Sequence, residues 1–491
     1  MNIHCSTLGD GFEKVIQKAI HGLQPVDSPG VAVAVVKGNE LSFAGGFGFS
    51  DRAARQPVRA DTRFAIGSAT KAFTSMALLL YAEQKQIALD KPIQQLLSER
   101  HVDFQMKDPL ASAEVNLIDI LCHRSGLAPH NALWYIGPFG RSQLLYRVRY
   151  LEPFPAPAGK TAFRNVYVYN NLMYMVAGHL MEVLFGKSYG EIIQTSILDR
   201  LQMTATNLSL AGLTGGGNYA KGYEKEHELP LKDFGNIGPA AEINSTVLDM
   251  AKWVQLFLRK GFGSGGVSII PLAALQRMYS PFIATDDGTG TSYGLGWTIG
   301  TIQTEQQAKR LIFHTGDADG YSAYVSFMPD DGLGVVVLTN QHCTPKMINQ
   351  WPDKVATAIY DYLLHGDVTG KLSLPGRAIP PDASYPAGFG PPPAGFVLPS
   401  PGDYTGMFTN PGYGDFVVGC SGDDLTISYY GQTWPLLPFP GDTQFLFQIV
   451  AFGANFPVFV KFKRSGTGAI ESFEASLVGQ PVLLFIPFVK R

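Results

Sequence analysis

A proline-dense segment between Gly370 and Gly402 limits how this 491-residue chain can fold. Proline fixes its own φ angle and has no amide hydrogen to donate, so it interrupts helices and the interior of sheets. Nine prolines fall in the segment, at positions 375, 380, 381, 386, 391, 392, 393, 399 and 401. Such a composition is typical of an extended, semi-rigid linker. We therefore predict a first domain at residues 1–368, a linker at 369–402 and a second domain at 403–491.

Strand patterns at both ends of the first domain enclose a middle that is mostly helical. The apolar run 31–36 and the run 41–45 flank a Gly-Asn turn, which indicates a hairpin. Strand patterns return over residues 294–299, 310–313, 324–328 and 333–338. This order predicts the α/β (α+β) class, with an antiparallel sheet flanked by helices and a helical subdomain. In the second domain, regularly spaced short strands between Gly, Asp and Pro turns predict a small all-β barrel.

Charge and composition argue against several classes of protein. The formal net charge of −3 gives no electrostatic reason to expect nucleic acid or an anionic membrane as a partner. The apolar stretch 166–185 is broken by polar residues, so no membrane span is predicted. The first residues lack the charged start and apolar core of a signal peptide, and we expect a cytoplasmic protein. The cysteines, at positions 5, 122, 343 and 420, show no metal-binding spacing, so no metal or cofactor is predicted.

Ser68 and Lys71 are three residues apart at the start of a long apolar helix pattern. A spacing of three puts both side chains on one face of a helix, one turn apart. A serine hydroxyl needs a neighbouring group to take its proton before it acts as a nucleophile. The Lys71 amine can take that proton only when it is neutral. The pair is therefore a candidate nucleophile with its own base.

Three other motifs have more ordinary interpretations. Residues 186–190 fit the Gly-x-Ser-x-Gly nucleophile elbow, but that elbow follows a strand, whereas here a helix precedes it. We predict instead that Ser188 caps the next helix. The glycines of 261–266 fit a dinucleotide-binding pattern but also follow a helix, which predicts a helix end and a loop. His123 and His130 flank a glycine turn without further metal ligands, and we interpret both as structural.

Two later segments could supply the partners that the serine and lysine need. Tyr169 and Asn171 lie just before an apolar helix, where a phenol and an amide can enter one cleft. A second segment follows the strand pattern 310–313 and consists of His314, Thr315 and Gly316. Taken alone, each segment is better explained by a structural role than by a catalytic one, for example as a buried tyrosine or a helix cap. Together with the first motif they form the ordered pattern Ser-x-x-Lys, Tyr-x-Asn, His-Thr-Gly.

With these motifs the chain resembles the serine β-lactamase and penicillin-binding-protein superfamily over roughly residues 12–365. The resemblance is to the branch that is similar to class C β-lactamases, serine esterases and D-amino-acid-specific peptidases. It implies a β-lactamase/transpeptidase-like fold and assigns four side-chain roles: Ser68 as the acylated nucleophile, Lys71 as its amine partner, Tyr169 as the proton shuttle, and Asn171 as the group that orients Lys71 and a substrate carbonyl. It also implies a cleft lined by His314, Thr315 and Gly316, and an oxyanion hole formed by the backbone amides of Ser68 and Asp317.

The third motif departs from the family pattern, because His314 stands where β-lactamases and many penicillin-binding proteins have lysine. Imidazole carries only part of a positive charge at neutral pH, so a hydrogen bond replaces a strong ionic contact with a substrate carboxylate. This favours an esterase, amidase or peptidase over a dedicated β-lactamase. Asp317 also stands where small residues are common, and its carboxylate could repel anions, bind an ammonium group or point to solvent.

Three functions stay open at this point, each with a small molecule or peptide as ligand. The first is a serine hydrolase that cleaves an ester, an amide or a peptide, including one with D-amino acids, through an acyl-enzyme on Ser68. The second is an acyltransferase or peptide macrocyclase, in which an amine resolves the same intermediate. The third is an inactive binding protein. The second domain resembles the lipocalin-like domain of some related peptidases, which implies a wall of the cleft or a homo-oligomer contact.

Overall fold

The computed structural model describes residues 2–8, 10–21, 30–156, 158–285, 288–304, 307–342, 352–370, 372, 400–422, 424–438, 443–451, 454–478 and 484–491. Two nine-stranded antiparallel sheets organise these residues, one before and one after the proline-dense segment. Most of the predicted linker and Cys343 lie outside the described residues. The predicted α/β class and the C-terminal barrel are confirmed.

The first sheet joins strands from both ends of the first domain. The strands of this domain are β1 (Asn2–Ser6), β2 (Val31–Lys37), β3 (Glu40–Phe47), β4 (Phe49–Asp51), β5 (Gln56–Pro57), β6 (Phe64–Ala65), β7 (Tyr223–Glu224), β8 (His227–Glu228), β9 (Asn244–Ser245), β10 (Ile283–Ala284), β11 (Ser292–Tyr293), β12 (Thr298–Gln303), β13 (Ala308–Ala318), β14 (Tyr321–Met328) and β15 (Leu333–Thr339). The sheet runs in the order β1-β3-β2-β15-β14-β13-β12-β11-β10. Three short pairs stand apart from it: β4 with β5, β6 with β9, and β7 with β8.

Helices cover both faces of this sheet and form the subdomain beside it. They are α1 (Asp10–His21), α2 (Thr70–Lys85), α3 (Ile93–Ser98), α4 (Pro109–Glu114), α5 (Leu117–Leu121), α6 (Asn131–Tyr135), α7 (Arg141–Arg147), α8 (Asn171–Phe185), α9 (Tyr189–Ile193), α10 (Asp199–Leu201), α11 (Leu210–Thr214), α12 (Gly238–Ala241), α13 (Val247–Leu258), α14 (Leu272–Met278) and α15 (Pro352–His365). None of the helices in the described part of the chain is long and apolar enough to cross a membrane.

Strand β2 is buried on both faces, which explains its unbroken apolar sequence. Its valines at 31, 33 and 35 belong to the core that includes apolar residues of α1 and α15. Its alanines at 32 and 34 belong to the larger core that includes α2, α8 and α13. The small side chains let α13 approach the sheet closely, so the sheet is a rigid support for the loops at its edge.

Three strand predictions differ from the structure. The polar N-terminal residues form β1, an edge strand paired with β3, although their sequence predicted no strand. The predicted strand over 294–299 is wrong in its first part, because 294–297 form a turn with Gly296 at φ +84°, and β12 begins at Thr298. Strand β13 continues to Ala318, so His314 and Asp317 lie within a paired strand rather than after it.

The second sheet forms a nearly closed barrel. Its strands are β16 (Gly406–Asn410), β17 (Gly414–Ser421), β18 (Asp424–Tyr429), β19 (Gln432–Pro435), β20 (Leu437–Pro438), β21 (Gln444–Ala451), β22 (Ala454–Arg464), β23 (Ile470–Ala475) and β24 (Ile486–Lys490). They run in the order β19-β18-β17-β16-β24-β23-β22-β21-β20, and β19 lies beside β21. Buried rings fill the interior, among them Phe473 and Phe488 with centroids 4.8 Å apart. Aromatic residues supply the large buried area that a small barrel needs.

The barrel contacts the first domain at helix α6. The backbone amides of Asn131 and Ala132 donate to the carbonyl oxygens of Val478 and Leu477, at 3.1 and 3.3 Å. His130, fully buried just before the helix, pairs through Nδ1 with the hydroxyl of Tyr413 at 2.9 Å. Burial lowers the pKa of His130 to about 4, so its ring is neutral at physiological pH. The contact therefore joins the barrel to the α6 region without a buried charge.

Candidate active site

Ser68 lies in a short 3-10 turn, Gly67–Ala69, between β6 and α2. Gly67 has φ +50°, and a Cβ atom there would lie 2.5 Å from the carbonyl oxygen of Asp317. Glycine alone avoids both the steric clash and the strain of a positive φ. The turn therefore packs directly against the end of β13 and leaves Ser68 partly exposed.

Lys71, in the first turn of α2, is fully buried and is held by three oxygen atoms. Its Nζ atom donates to Ser68 Oγ at 3.0 Å, to Asn171 Oδ1 at 2.8 Å and to the carbonyl oxygen of Ala240 at 3.1 Å. These acceptors match the three N–H groups of an ammonium, and a neutral amine in the same place could accept the Ser68 hydroxyl proton. The Tyr169 ring centroid lies 4.7 Å from this nitrogen. The four side chains that the first two motifs predicted therefore form one cluster.

The start of helix α8 positions Tyr169 and Asn171. Asn170 is the N-cap, and its Oδ1 accepts the Met173 amide at 3.0 Å. Its Nδ2 donates to the carbonyl oxygens of Leu127 and Ala128, both at 3.0 Å. A side-chain cap of this kind fixes the first helical residue, which here is Asn171. Tyr169 lies two residues earlier and is partly exposed.

His314 is buried in β13, and both of its ring nitrogens have partners. Nε2 lies 2.8 Å from the hydroxyl of Tyr293, and Nδ1 lies 2.5 Å from the carbonyl oxygen of Thr315. A carbonyl oxygen only accepts, so Nδ1 carries a proton, and Nε2 shares a hydrogen bond with the Tyr293 hydroxyl. Both ring nitrogens of the histidine in the third motif are therefore engaged within the protein.

The end of β13 lies directly against the turn that carries Ser68. A Cβ atom on Gly316 would stand 1.9 Å from the carbonyl oxygen of Ile66, so only glycine permits this approach. Thr315 is partly exposed beside it. Ser322 Oγ donates to Asp317 Oδ1 at 3.1 Å, which draws that carboxylate toward β14. The backbone segments of the two predicted oxyanion-hole residues, Ser68 and Asp317, are thus held in contact through the intervening glycines.

A cleft of about 430 Å³, part of it open to solvent, adjoins this junction, and none of the predicted site residues is part of its lining. It is lined by Ala65, Leu208, Ser209, Leu210, Leu213, Leu231, Lys232, Asp233, Phe234, Ala241, Glu242, Asn244, Ala318, Asp319 and Tyr321. Burial lowers the pKa of Lys232 to about 8 and raises the pKa of Glu242 to about 8. Helix α6 borders the cleft, because the Tyr135 hydroxyl donates to Asp319 Oδ2 at 2.7 Å and the Tyr135 carbonyl accepts from Lys232 Nζ at 3.1 Å.

Several residues of the site carried no usable sequence signal. Tyr293 contacts His314 from β11, twenty-one positions away, and Ala240 contributes only a backbone carbonyl. His123 is fully buried and approaches Tyr169 with ring centroids 4.3 Å apart. These contacts depend on tertiary folding, so spacing along the chain did not indicate them.

The rival motifs take ordinary structural roles. Ser188 caps α9 by accepting the Glu191 amide, as predicted, and a helix rather than a strand precedes it. The glycines of 261–266 form a loop after α13. In the described part of the chain, no group of three or more His, Cys, Asp or Glu side chains could hold a metal ion.

Comparison with known proteins decides the family. The defining pattern of the Beta-lactamase family matches residues 16–357. The chain belongs to the Beta-lactamase family. This family member is similar to the Unguisins hydrolase ungD of Aspergillus violaceofuscus (strain CBS 115571), with 29% identity over 449 residues, covering 83% of this chain and 76% of the relative.

Two solved structures share the fold of this Beta-lactamase family member. The octameric penicillin-binding protein homologue from Pyrococcus abyssi is similar over 98% of this chain and 99% of its own, with a TM-score of 0.60 and 21% identity. The class C beta lactamase from Rhodobacter sphaeroides is similar over 73% of this chain and 99% of its own, with a TM-score of 0.56 and 22% identity. The first likeness spans both sheets.

Proposed function

We propose that this protein is a serine hydrolase that cleaves a peptide, an amide or an ester through an acyl-enzyme on Ser68. The observation that carries the proposal is the 3.0 Å contact between Ser68 Oγ and Lys71 Nζ, with the amine anchored to Asn171 at 2.8 Å. A nucleophile within reach of an oriented base is what covalent acyl transfer requires. Membership of the Beta-lactamase family and a relative named as a hydrolase support the same reaction class.

In the acylation step, Ser68 Oγ attacks the carbonyl carbon of the substrate while its proton passes to the Lys71 and Tyr169 pair. The backbone amides of Ser68 and Asp317 stabilise the oxyanion, which is typically the largest electrostatic contribution in acyl transfer. The tetrahedral intermediate then collapses and breaks the bond to the leaving group. The same pair returns the proton to the leaving amine or alcohol, and Ser68 is left as an ester.

In the second step, water attacks the Ser68 ester, gives its proton to the Lys71 and Tyr169 pair, and releases a carboxylic acid. Ser68 recovers its hydroxyl proton from that pair. An amine in place of the water would give acyl transfer or cyclisation instead. Because both nitrogens of His314 are engaged within the protein, His314 is less available to a substrate carboxylate than a free ammonium group would be. This favours esters, amides and peptides over β-lactams as substrates.

The proposal is tested by incubation with a fluorophosphonate and measurement of the intact mass. Phosphonylation with loss of fluoride is expected in the wild-type protein and not in Ser68→Ala. Ser188→Ala is the matched control, because it removes the serine of the rival elbow motif, and it should be labelled normally. Absence of an adduct in the folded wild-type protein with every acylating probe, or an unchanged adduct in Ser68→Ala, contradicts the proposal.

The acyl acceptor is then identified with a panel of L- and D-amino-acid esters and amides. Each substrate is incubated with and without an added amine, and the products are separated by mass spectrometry. Free acid as the product in both conditions supports hydrolysis. A new amide as the major product with added amine identifies an acyltransferase that uses the same intermediate.

A further inference from the structure

His123 contacts the backbone on both sides of Tyr169. Its carbonyl oxygen accepts the amide of Val168 at 2.8 Å, and its Nδ1 atom accepts the amide of Asn170 at 3.1 Å. The ring of His123 also lies against the ring of Tyr169, with centroids 4.3 Å apart. A single residue therefore holds the peptide groups before and after the tyrosine and packs on its side chain.

The backbone at His123 is itself firmly anchored. It has φ +64°, a region in which His and Asn occur more often than most residues. One residue later, Arg124 Nε donates to the fully buried Asp119 at 2.7 Å. This ion pair ties the turn that carries His123 to helix α5, so the two contacts to the Tyr169 segment have a rigid support.

The hydrogen bonds require a neutral imidazole. Nδ1 acts as an acceptor, so in the neutral ring the proton is on Nε2. Within the described part of the chain, Nε2 has no hydrogen-bond partner although it is fully buried. Burial and the nearby Lys71 hold the pKa of His123 well below its usual value, which keeps the acceptor available. A buried polar atom without a partner costs stability, whereas Nδ1 supplies the acceptor that the buried Asn170 amide would lack beside an apolar side chain.

We propose that His123 is a positioning residue that sets the place of the Tyr169 phenol relative to Ser68 and Lys71. This inference rests on the proposed function, because it assigns a role to His123 only if Tyr169 transfers protons. Proton transfer demands placement within a few tenths of an ångström, and the two amide contacts supply that restraint. His123 contacts the backbone and the ring of the Tyr169 segment, so its replacement should change kcat rather than KM.

The test compares His123→Asn with His123→Leu in the full-length protein. Asparagine places an oxygen where Nδ1 stands and tolerates a positive φ, whereas leucine has a similar shape, no acceptor and a lower tolerance of positive φ, a strain that the double-mutant cycle described next separates from the loss of the acceptor. We expect His123→Leu to lower kcat for an ester substrate about ten- to hundredfold with KM within about threefold, because a buried amide loses its acceptor. His123→Asn should retain at least about one fifth of the wild-type kcat. Equal losses in the two variants overturn the inference.

A double-mutant cycle with Tyr169→Phe separates positioning from general damage. If His123 acts through Tyr169, adding His123→Leu to Tyr169→Phe should reduce the acylation rate by less than about threefold. A loss as large as in the wild-type background overturns the inference, since strain or instability would act in both backgrounds. If His123→Leu does not fold, as judged by its Tm, His123→Gln is used instead. The side-chain amide of glutamine lies one bond too far from the backbone to take the place of Nδ1.

The same measurements keep the two proposals distinguishable. An absent Ser68 adduct in the wild-type protein contradicts the proposed function. A normal wild-type adduct together with wild-type acylation by His123→Leu contradicts only the role of His123.

Discussion

Because Gly316 packs closely against Ile66, we predict that a single methyl group added at position 316 has a large effect on catalysis. In Gly316→Ala, the new Cβ would lie 1.9 Å from the Ile66 carbonyl oxygen, whereas ordinary contact begins near 3.4 Å. The two segments must therefore separate by about 1.5 Å, the difference between these distances. Gly316 is not among the residues with positive φ, so its backbone conformation suits alanine and the effect is steric.

That separation acts directly on the proposed oxyanion hole. Ile66 lies two residues before Ser68, and Gly316 precedes Asp317, so the two donor amides move apart with their segments. Such donors work at about 2.7–3.1 Å from the oxyanion, and the loss of one typically lowers kcat about 10²- to 10³-fold. We expect Gly316→Ala to lower kcat and the rate of fluorophosphonate labelling by about two orders of magnitude.

The assay compares kcat, labelling rate and Tm with those of Gly190→Ala. Gly190 lies in helix α9, and no atom lies within 4 Å of a Cβ built there. Alanine at that position should be neutral or stabilising, by up to about 1 kcal/mol, because it favours helix. Folded Gly316→Ala protein with wild-type kcat would refute the reasoning about the junction.

Two further predictions concern stability. Asp119 is fully buried and accepts hydrogen bonds from Arg124 and Arg164. Asp119→Asn should therefore lower the free energy of unfolding in urea by about 3 kcal/mol, the lower end for a broken buried pair, because both arginines are partly exposed. A loss below about 0.5 kcal/mol would show that the network contributes little. Burial raises the pKa of Glu242 to about 8 from 4.5, so the folded state binds more protons than the unfolded state between these values and stability falls as pH rises through that window. Glu242→Gln removes this pH dependence of stability. The Tm of the variant minus the Tm of the wild type should therefore increase from pH 5 to pH 8, and a constant difference would contradict the assignment.

Local sequence patterns predicted the parts of the fold that depend on nearby residues. The β2–β3 hairpin follows from an apolar run and a turn, and the Ser188 cap follows from a serine before a helix. Strand β1 was missed because its residues form a strand only by pairing with β3, whose paired residues lie 37 to 44 positions further along the chain. Residues 294–297 were misassigned because an apolar run does not distinguish a strand from a buried turn.

The candidate site likewise contains residues that local patterns predicted and contacts that depend on tertiary folding. Ser68, Lys71, Tyr169 and Asn171 were found from ordered motifs, because spacing and residue type carry the signal. The hydrogen bond between His314 and Tyr293 was not foreseen, since Tyr293 lies on a different strand. His123 was interpreted only as structural, because its contacts with the Tyr169 segment appear when α5 and α8 are packed together. Hydrogen bonds between segments that are far apart in the sequence could not be predicted from local sequence patterns.

The contacts of helix α6 affect whether the two domains of the chain can be separated in evolution. Five residues are too few for a helix to persist alone, and this one is stabilised from two directions. Its first amides donate to barrel carbonyls of Leu477 and Val478, while the Trp134 and Tyr135 carbonyls accept from Asn236 and Lys232 at the cleft. A chain that ended before residue 400 would lose the first set of contacts and loosen one wall of the cleft. The barrel and the first domain are therefore expected to be exchanged between proteins only as a matched pair.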